Sequence, residues 1–331
     1  MNVDALPKVE LHLHLDCSLS YDVVRELDPG ITEEQYRQRF IAPAKCRDLA
    51  DYLTRALAAV ALLQDERALR LATWDLFRQL QADNVIYAEI RFAPLLHTAG
   101  GLAPTRVVEV VEATARQASA ETGVEARLIL CTLRHFSGEQ SMETVRLVDA
   151  FEGSLVAAFD LAGDEAGYPL SPHIPAFHHA AERGLPFTTH AGEGAGAESV
   201  WETLHVTGTR RIGHGVRSIE DPALLSHLVA TGIHLEVNPS SNVQTNVCET
   251  LAEHPLPRLL DAGVLVSINT DCRTITDVTL DEEYRRVADA FGWGRRQLLR
   301  CNLNAVESAF LADEQREVLR RALTDAWTVG G

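Results

Sequence analysis

Eight short apolar runs recur along this 331-residue chain, each followed by polar or glycine-rich residues and then by a stretch of helical period. The runs are Val9–Asp16, Val85–Pro94, Glu125–Arg134, Leu155–Ala162, Pro186–His190, Arg211–Val216, His234–Asn238 and Leu265–Thr270. Between them, apolar residues repeat on one helical face, as in Leu49, Leu53, Leu57 and Val60, or in Val107, Val110, Val111 and Thr114. Strands alternating with helices form parallel sheets, and eight such units over roughly 250 residues are what a (β/α)8 barrel requires. The expected fold is therefore α/β, a (β/α)8 TIM barrel. An open doubly wound sheet is the runner-up, since alternation alone does not close a barrel.

No low-complexity linker and no short repeat divides the chain, so residues 1–331 are read as a single barrel domain. The gap between Asp16 and Val85 is far too long for one crossover helix. It predicts a helical insertion after strand one, over about residues 17–84, forming a lid or wall at the barrel mouth.

Composition narrows the function. A formal net charge of −17 argues against nucleic acid and against an anionic membrane surface as partner, because both need basic patches. It leaves small neutral ligands open. Of the 30 basic residues only Lys8 and Lys45 are lysines, and neither is near a mid-chain strand end. Schiff-base chemistry and a lysine-bridged metal pair are thereby excluded. The six cysteines (Cys17, Cys46, Cys131, Cys248, Cys272, Cys301) form no CxxC pair, which fits reduced thiols. The start, MNVDALPKVE, has no apolar signal core, and no apolar run approaches eighteen residues. A soluble, cytoplasmic protein is expected.

The chemistry-bearing residues sort to the strand ends. In VELHLHLDC, side-chain alternation turns His12 and His14 to one face, with Asp16 next on that face. Two imidazoles one pleat apart can chelate a metal, although HxH alone is equally compatible with structural histidines. Strand five ends in TTHAGEGAGA, carrying His190 and Glu193. Its Gly192, Gly194 and Ala197 also satisfy a dinucleotide-binding fingerprint, but that fingerprint belongs in the first βαβ unit, not here. Strand six ends in RIGHGV, with His214 between two glycines, and strand eight ends at Asp271, which by itself would be most simply a helix cap. In a barrel all these ends converge on one face. Three neutral imidazoles and a carboxylate suit zinc or a similar divalent ion. HExxH, GxSxG, GK[ST] and the PCxxC of cytidine-type deaminases are all absent.

The ordered motifs PKVELHLHLD, VAAFDLAGDE, THAGE, IGHG, NPSSN and NTD resemble the adenosine deaminase family of metal-dependent amidohydrolases, from Pro7 to beyond Asp271. The resemblance implies one Zn2+ per chain, held by His12, His14, His190 and Asp271. It implies that Glu193 is the general acid at purine N1 and that His214 orients the attacking hydroxide. Gly163 would contact N3 through its backbone, and Asp16 would bind a ribose hydroxyl. The implied partner is a small-molecule purine nucleoside, and the implied reaction is deamination of adenosine or 2′-deoxyadenosine to the inosine product plus ammonia.

Two positions depart from the familiar pattern. Cys17 stands where glycine is usual, and Cys272 stands where many members carry an aspartate facing purine N7. A thiol donates weakly to N7. A modified adenine nucleoside, N6-methylated or 5′-extended, is therefore the alternative substrate. A catalytically dead binding protein would have lost a metal ligand or the glutamate, and an ester or lactone hydrolase would leave Glu193 without a task.

Overall fold

The backbone of this protein, described for residues 3–328 by a computed structural model, places a parallel strand at each of the eight expected runs. These are β1 (Lys8–His14), β2 (Val85–Phe92), β3 (Glu125–Leu133), β4 (Val156–Ala162), β5 (Thr189–Ala191), β6 (Arg211–His214), β7 (His234–Val237) and β8 (Leu265–Ile268). They pair as two parallel four-stranded sheets, β1-β2-β3-β4 and β5-β6-β7-β8. Two single bridges join the sheets, Phe159 to Phe187 and Leu13 to Asp271. At the second seam Asp271 N–H donates to His12 O (3.0 Å) and His14 N–H donates to Asp271 O (2.8 Å). The sheet thus returns on itself as a (β/α)8 barrel, and the doubly wound alternative is excluded.

Six of the strands end before their apolar runs do, whereas β4 ends with its run at Ala162 and β5 one residue beyond, at Ala191. Asp16 is not on β1 but in a 3-10 turn over Leu15–Cys17, so it does not continue the His12–His14 alternation. Pro94 opens another 3-10 turn beyond β2. His214, the last residue of β6, and Asp271, which bridges to β1 beyond β8, each take a left-handed φ of +63°, and both line the cavity at the barrel mouth.

Five helices fill the stretch between β1 and β2: α1 (Tyr21–Leu27), α2 (Glu33–Phe40), α3 (Leu49–Leu53), α4 (Ala56–Leu62) and α5 (Glu66–Ala82). The Leu49–Val60 repeat is not one helix. At Thr54 and Arg55 the amides bond three residues back, to Asp51 O and Tyr52 O (both 3.2 Å), and the Thr54 hydroxyl also bonds Asp51 O. This breaks α3 from α4, and Leu57 is left 69% exposed rather than sharing a buried face with Leu49. By contrast α5 is capped by Asp65, whose carboxylate accepts the Ala68 N–H (2.8 Å). It buries Leu69, Leu76, Phe77 and Leu80, each contributing roughly 1.5–3 kcal/mol.

Around the rest of the barrel run α6 (Pro104–Thr122), α7 (Gly138–Ala150), α8 (Ile174–Arg183), α9 (Ala197–Thr207), α10 (Pro222–Thr231), α11 (Pro239–Gln244), α12 (Leu256–Asp261), α13 (Arg273–Thr276), α14 (Leu280–Phe291), α15 (Arg295–Ser308) and α16 (Asp313–Thr328). On α6 the expected face holds, with Val107, Val110, Val111 and Thr114 buried. Among the described residues, no helix is long and apolar enough to cross a membrane.

The barrel interior below the histidines is charged. Arg91 on β2 reaches across to Glu236 on β7 (2.7 Å) and to Asp160 on β4 (3.0 Å). Glu236 also pairs with Arg211, which in turn pairs with Glu89 (2.6 and 2.7 Å). All five side chains are buried, and each charge has an opposite partner, as burial requires.

Candidate active site

Every strand-end residue singled out from the sequence borders one cluster at the barrel mouth. The donor atoms of His12, His14 and His190 lie within 4.8 Å of one another, and so do those of His12, His214 and Asp271. Asp271 Oδ1 stands 3.4 Å from Nε2 of both His12 and His14. His12 Nε2 is buried and has no hydrogen-bond partner. A buried lone pair left unused amid two further imidazoles and a carboxylate is the donor arrangement of a divalent metal site, so the residues fit a metal such as zinc.

Carboxylates behind the rings fix which nitrogen faces the cluster. Glu236 accepts from His12 Nδ1 (2.8 Å) and Asp160 from His190 Nδ1 (3.2 Å). Both carboxylates are paired with Arg91, so they accept and the Nδ1 atoms donate, leaving Nε2 free for the metal. Burial pushes His14 down to about 3 and lowers His190 and His214 as well, so at neutral pH these rings are neutral, as ligation needs. Gly213 allows the close packing of two rings: a Cβ there would meet His12 Cε1 at 3.0 Å and His190 Cγ at 3.1 Å. The glycine before His214 thus makes room for His12 and His190.

Glu193 stands beside the metal-type donors. Its Oε2 is 3.4 Å from His214 Nε2, and its Oε1 is buried without a partner. Burial, reinforced by Asp271 and Glu165, pushes its carboxyl well above the usual range, which favours the protonated form. The loop carrying it is tied down by Glu165, whose carboxylate accepts the N–H groups of Gly192, Glu193, Gly194 and Ala195 at 2.7–3.1 Å. Those amides are the ones a dinucleotide phosphate would need, so the fingerprint reading of this turn fails on geometry.

Asp271 receives the Ser241 hydroxyl on Oδ2 (2.7 Å), and His214 Nδ1 is met by Asn242 Nδ2 (2.9 Å). The amide nitrogen of Asn238 also lies against this ring, 3.3 Å from Nδ1 and 3.4 Å from Nε2, and donates to the Glu236 carbonyl at 3.1 Å. Asp16 accepts the Ala93 N–H (3.3 Å) and lies 3.6 Å from His97 Nε2; its carboxyl is held low because the His97 contacts outweigh the upward push of burial. Gly163, at φ +101°, lines the same cavity.

Cys17 and Cys272 touch each other. They pack in one buried cluster, and Cys272 Sγ donates to Asp271 Oδ1 at 3.5 Å. The two departures from the familiar pattern are therefore one contact, and burial holds the Cys272 thiol protonated.

Sequence reasoning missed Glu236, Asp160, Arg91, Glu165, Ser241 and Asn242. Each had a signal. Glu236, Asp160 and Arg91 are charges inside apolar strand runs, where an unpaired charge would be prohibitively costly. Glu165 belongs to the LAGDE run, and Ser241 and Asn242 to NPSSN.

The cluster opens into a cavity of about 430 Å³ walled by Leu49, Leu53, Ala56, Leu57, Val60 and Leu96. None of its lining residues is lysine or arginine. A neighbouring opening contains Arg47 and Arg217, each ion-paired, to Asp51 and Glu220.

A family profile described as adenosine deaminase matches residues 7–326. The chain is 37% identical over 324 residues to an adenosine deaminase of Lacticaseibacillus paracasei, covering 96% of this chain and 95% of the relative. It superposes on the crystal structure of adenine deaminase from Arthrobacter aurescens with a TM-score of 0.90 at 30% identity, covering 97% of this chain and 99% of the other. It shares its fold with an Arabidopsis N6-mAMP deaminase, with a TM-score of 0.87 at 23% identity over 98% of this chain and 99% of that one.

Proposed function

From the premise that this chain belongs to the adenosine deaminase family, and is thus a deaminase of adenosine-like substrates, we propose that it removes the 6-amino group of adenosine or 2′-deoxyadenosine. The observation that carries this reading is the pair of buried, unpartnered atoms in one cluster, His12 Nε2 and Glu193 Oε1. The first calls for a metal and the second for a hydrogen-bonding ring nitrogen.

His12, His14, His190 and Asp271 would hold one zinc ion. When bound, zinc supplies hydroxide at neutral pH by lowering the pKa of water. Glu193, held protonated, gives its proton to purine N1 as oxygen adds to C6, so negative charge does not build on the ring. His214 faces the approaching oxygen and orients it. The proton of the added hydroxyl then passes to the amino nitrogen as the C6–N bond breaks, so ammonia leaves and the 6-oxo nucleoside remains. The Gly163 N–H meets N3, and Asp16 accepts a ribose hydroxyl.

The lining favours a nucleoside over a 5′-monophosphate, because a phosphate placed there would meet no cation. The apolar wall from α3 and α4 also supports the second reading, an adenine nucleoside with an apolar extension at N6 or the 5′ position. The unpaired thiols accord with a cytoplasmic site of action.

The deciding experiment is steady-state kinetics on adenosine, 2′-deoxyadenosine, N6-methyladenosine, adenine and AMP, with and without a chelator. Adenosine turnover at only a trace rate, beside rapid turnover of another member of the panel, would overturn the primary assignment.

A further inference from the structure

His214 can orient an incoming oxygen by donation only if its proton sits on Nε2, the atom 3.4 Å from Glu193. Ring geometry alone does not place that proton. A chain of hydrogen bonds running away from the site does, because it ends in a backbone amide whose direction is fixed.

His254, in the connection between β7 and β8, is buried, and burial pushes it down to about 3, so it is neutral. The Leu256 N–H points at its Nδ1 at 3.0 Å. A backbone N–H only donates, so His254 Nδ1 must accept and the His254 proton must be on Nε2. Nε2 then donates to Asn242 Oδ1 at 3.2 Å. This fixes which way the Asn242 amide faces: its other end, Nδ2, donates to His214 Nδ1 at 2.9 Å. With Nδ1 accepting, the His214 proton is on Nε2, facing the site. His12 and His190 have the opposite tautomer, because carboxylates stand behind them. The same side-chain type is thus turned into metal ligand or proton donor by what sits behind it.

We propose that Asn242 and His254 are positioning residues that set the tautomer of His214, making it a hydrogen-bond donor to the attacking oxygen rather than a further metal ligand. The proposal rests on reading His214 as the residue that faces that oxygen. Asn242 belongs to the NPSSN run at the barrel mouth, whereas His254 lies two residues before α12, has no place in any motif and does not line the cavity.

The test combines nitrogen-15 NMR of histidine-labelled, zinc-loaded protein with steady-state kinetics. Wild type is expected to show His214 as the Nε2–H tautomer. Asn242→Asp presents only acceptors and should move the proton to Nδ1, with kcat falling by about 10²–10⁴-fold, KM changing by less than about threefold, and zinc content kept. His254→Leu should leave the Asn242 amide free to rotate and give a mixture of tautomers with an intermediate kcat. His254→Gln, which keeps an N–H at the position of Nε2, should restore the wild-type tautomer. An Nδ1–H tautomer in wild type, or wild-type spectra and kcat in both Asn242→Asp and His254→Leu, would overturn the proposal. If Asn242→Asp does not fold, the contrast between His254→Leu and His254→Gln decides. Full activity in His214→Ala would instead remove the underlying role of His214, and the tautomer in the spectrum would still be read independently.

Discussion

Asp271 meets His12 at two places: its backbone N–H donates to the His12 carbonyl at 3.0 Å, and its Oδ1 lies 3.4 Å from His12 Nε2. The hydrogen bond closes the barrel between β8 and β1, and the side-chain approach brings a carboxylate into the histidine cluster. Closure of the fold and assembly of the site are therefore one event at this seam. The left-handed φ of +63° at Asp271 lets a single residue serve both, and aspartate tolerates that conformation better than most residues.

Glu193→Gln keeps the shape of the side chain and removes the acid proton. The variant is expected to bind zinc as wild type does and to lose about 10²–10⁴-fold in kcat on adenosine. Metal analysis alongside a spectrophotometric assay checks this, and full activity in a zinc-loaded variant would refute the acid role.

Removing N7 should cost little. The Cys272 thiol proton is already committed to Asp271 Oδ1 at 3.5 Å, so it is a poor donor to a purine. For 7-deazaadenosine, kcat/KM should lie within about tenfold of adenosine. A loss of about 2 kcal/mol or more would show that another donor holds N7.

Gly213→Ala would place a Cβ 3.0 Å from His12 Cε1 and 3.1 Å from His190 Cγ. Both rings must shift to relieve this, and neither can do so without lengthening its bond to Glu236 or Asp160. Zinc affinity should fall by about 10–100-fold. Competition with a chromophoric chelator measures it; wild-type affinity would mean that the rings have slack.

Glu283 on α14 accepts the Ser240 N–H (2.7 Å) and the Ser240 hydroxyl, holding the start of α11. Burial pushes its carboxyl up to about 7, against the Ser240 bonds and nearby Arg286, while Glu10 adds to the rise. A folded pKa above the unfolded value of about 4.3 means this group's stabilisation is complete at low pH and lost as pH rises through 7. Between pH 5 and pH 8, wild type should lose on the order of 2–4 kcal/mol relative to Glu283→Gln. Urea titrations of both proteins at the two pH values test it, and a pH-independent difference would count against the prediction.

What could be read in the sequence followed from local rules. Strand–helix alternation specified parallel strands, and His12, His14, His190, Glu193, His214 and Asp271 stood at strand ends that a barrel must bring together. Where the local rule was a periodicity alone, it overreached: the Leu49–Val60 repeat predicted one helical face, but bonds three residues back at Thr54 and Arg55 split it.

The sequence by itself determined which residues gather at the barrel mouth, because strand order and side-chain alternation are properties of neighbouring residues. Only the tertiary structure decided what each imidazole does there. His12 takes its orientation from Glu236, 224 positions away, and His190 from Asp160, while His214 takes its own from Asn242. A histidine's chemistry depends on which nitrogen holds the proton, and that is set by a partner on another strand or helix, not by its neighbours in the chain.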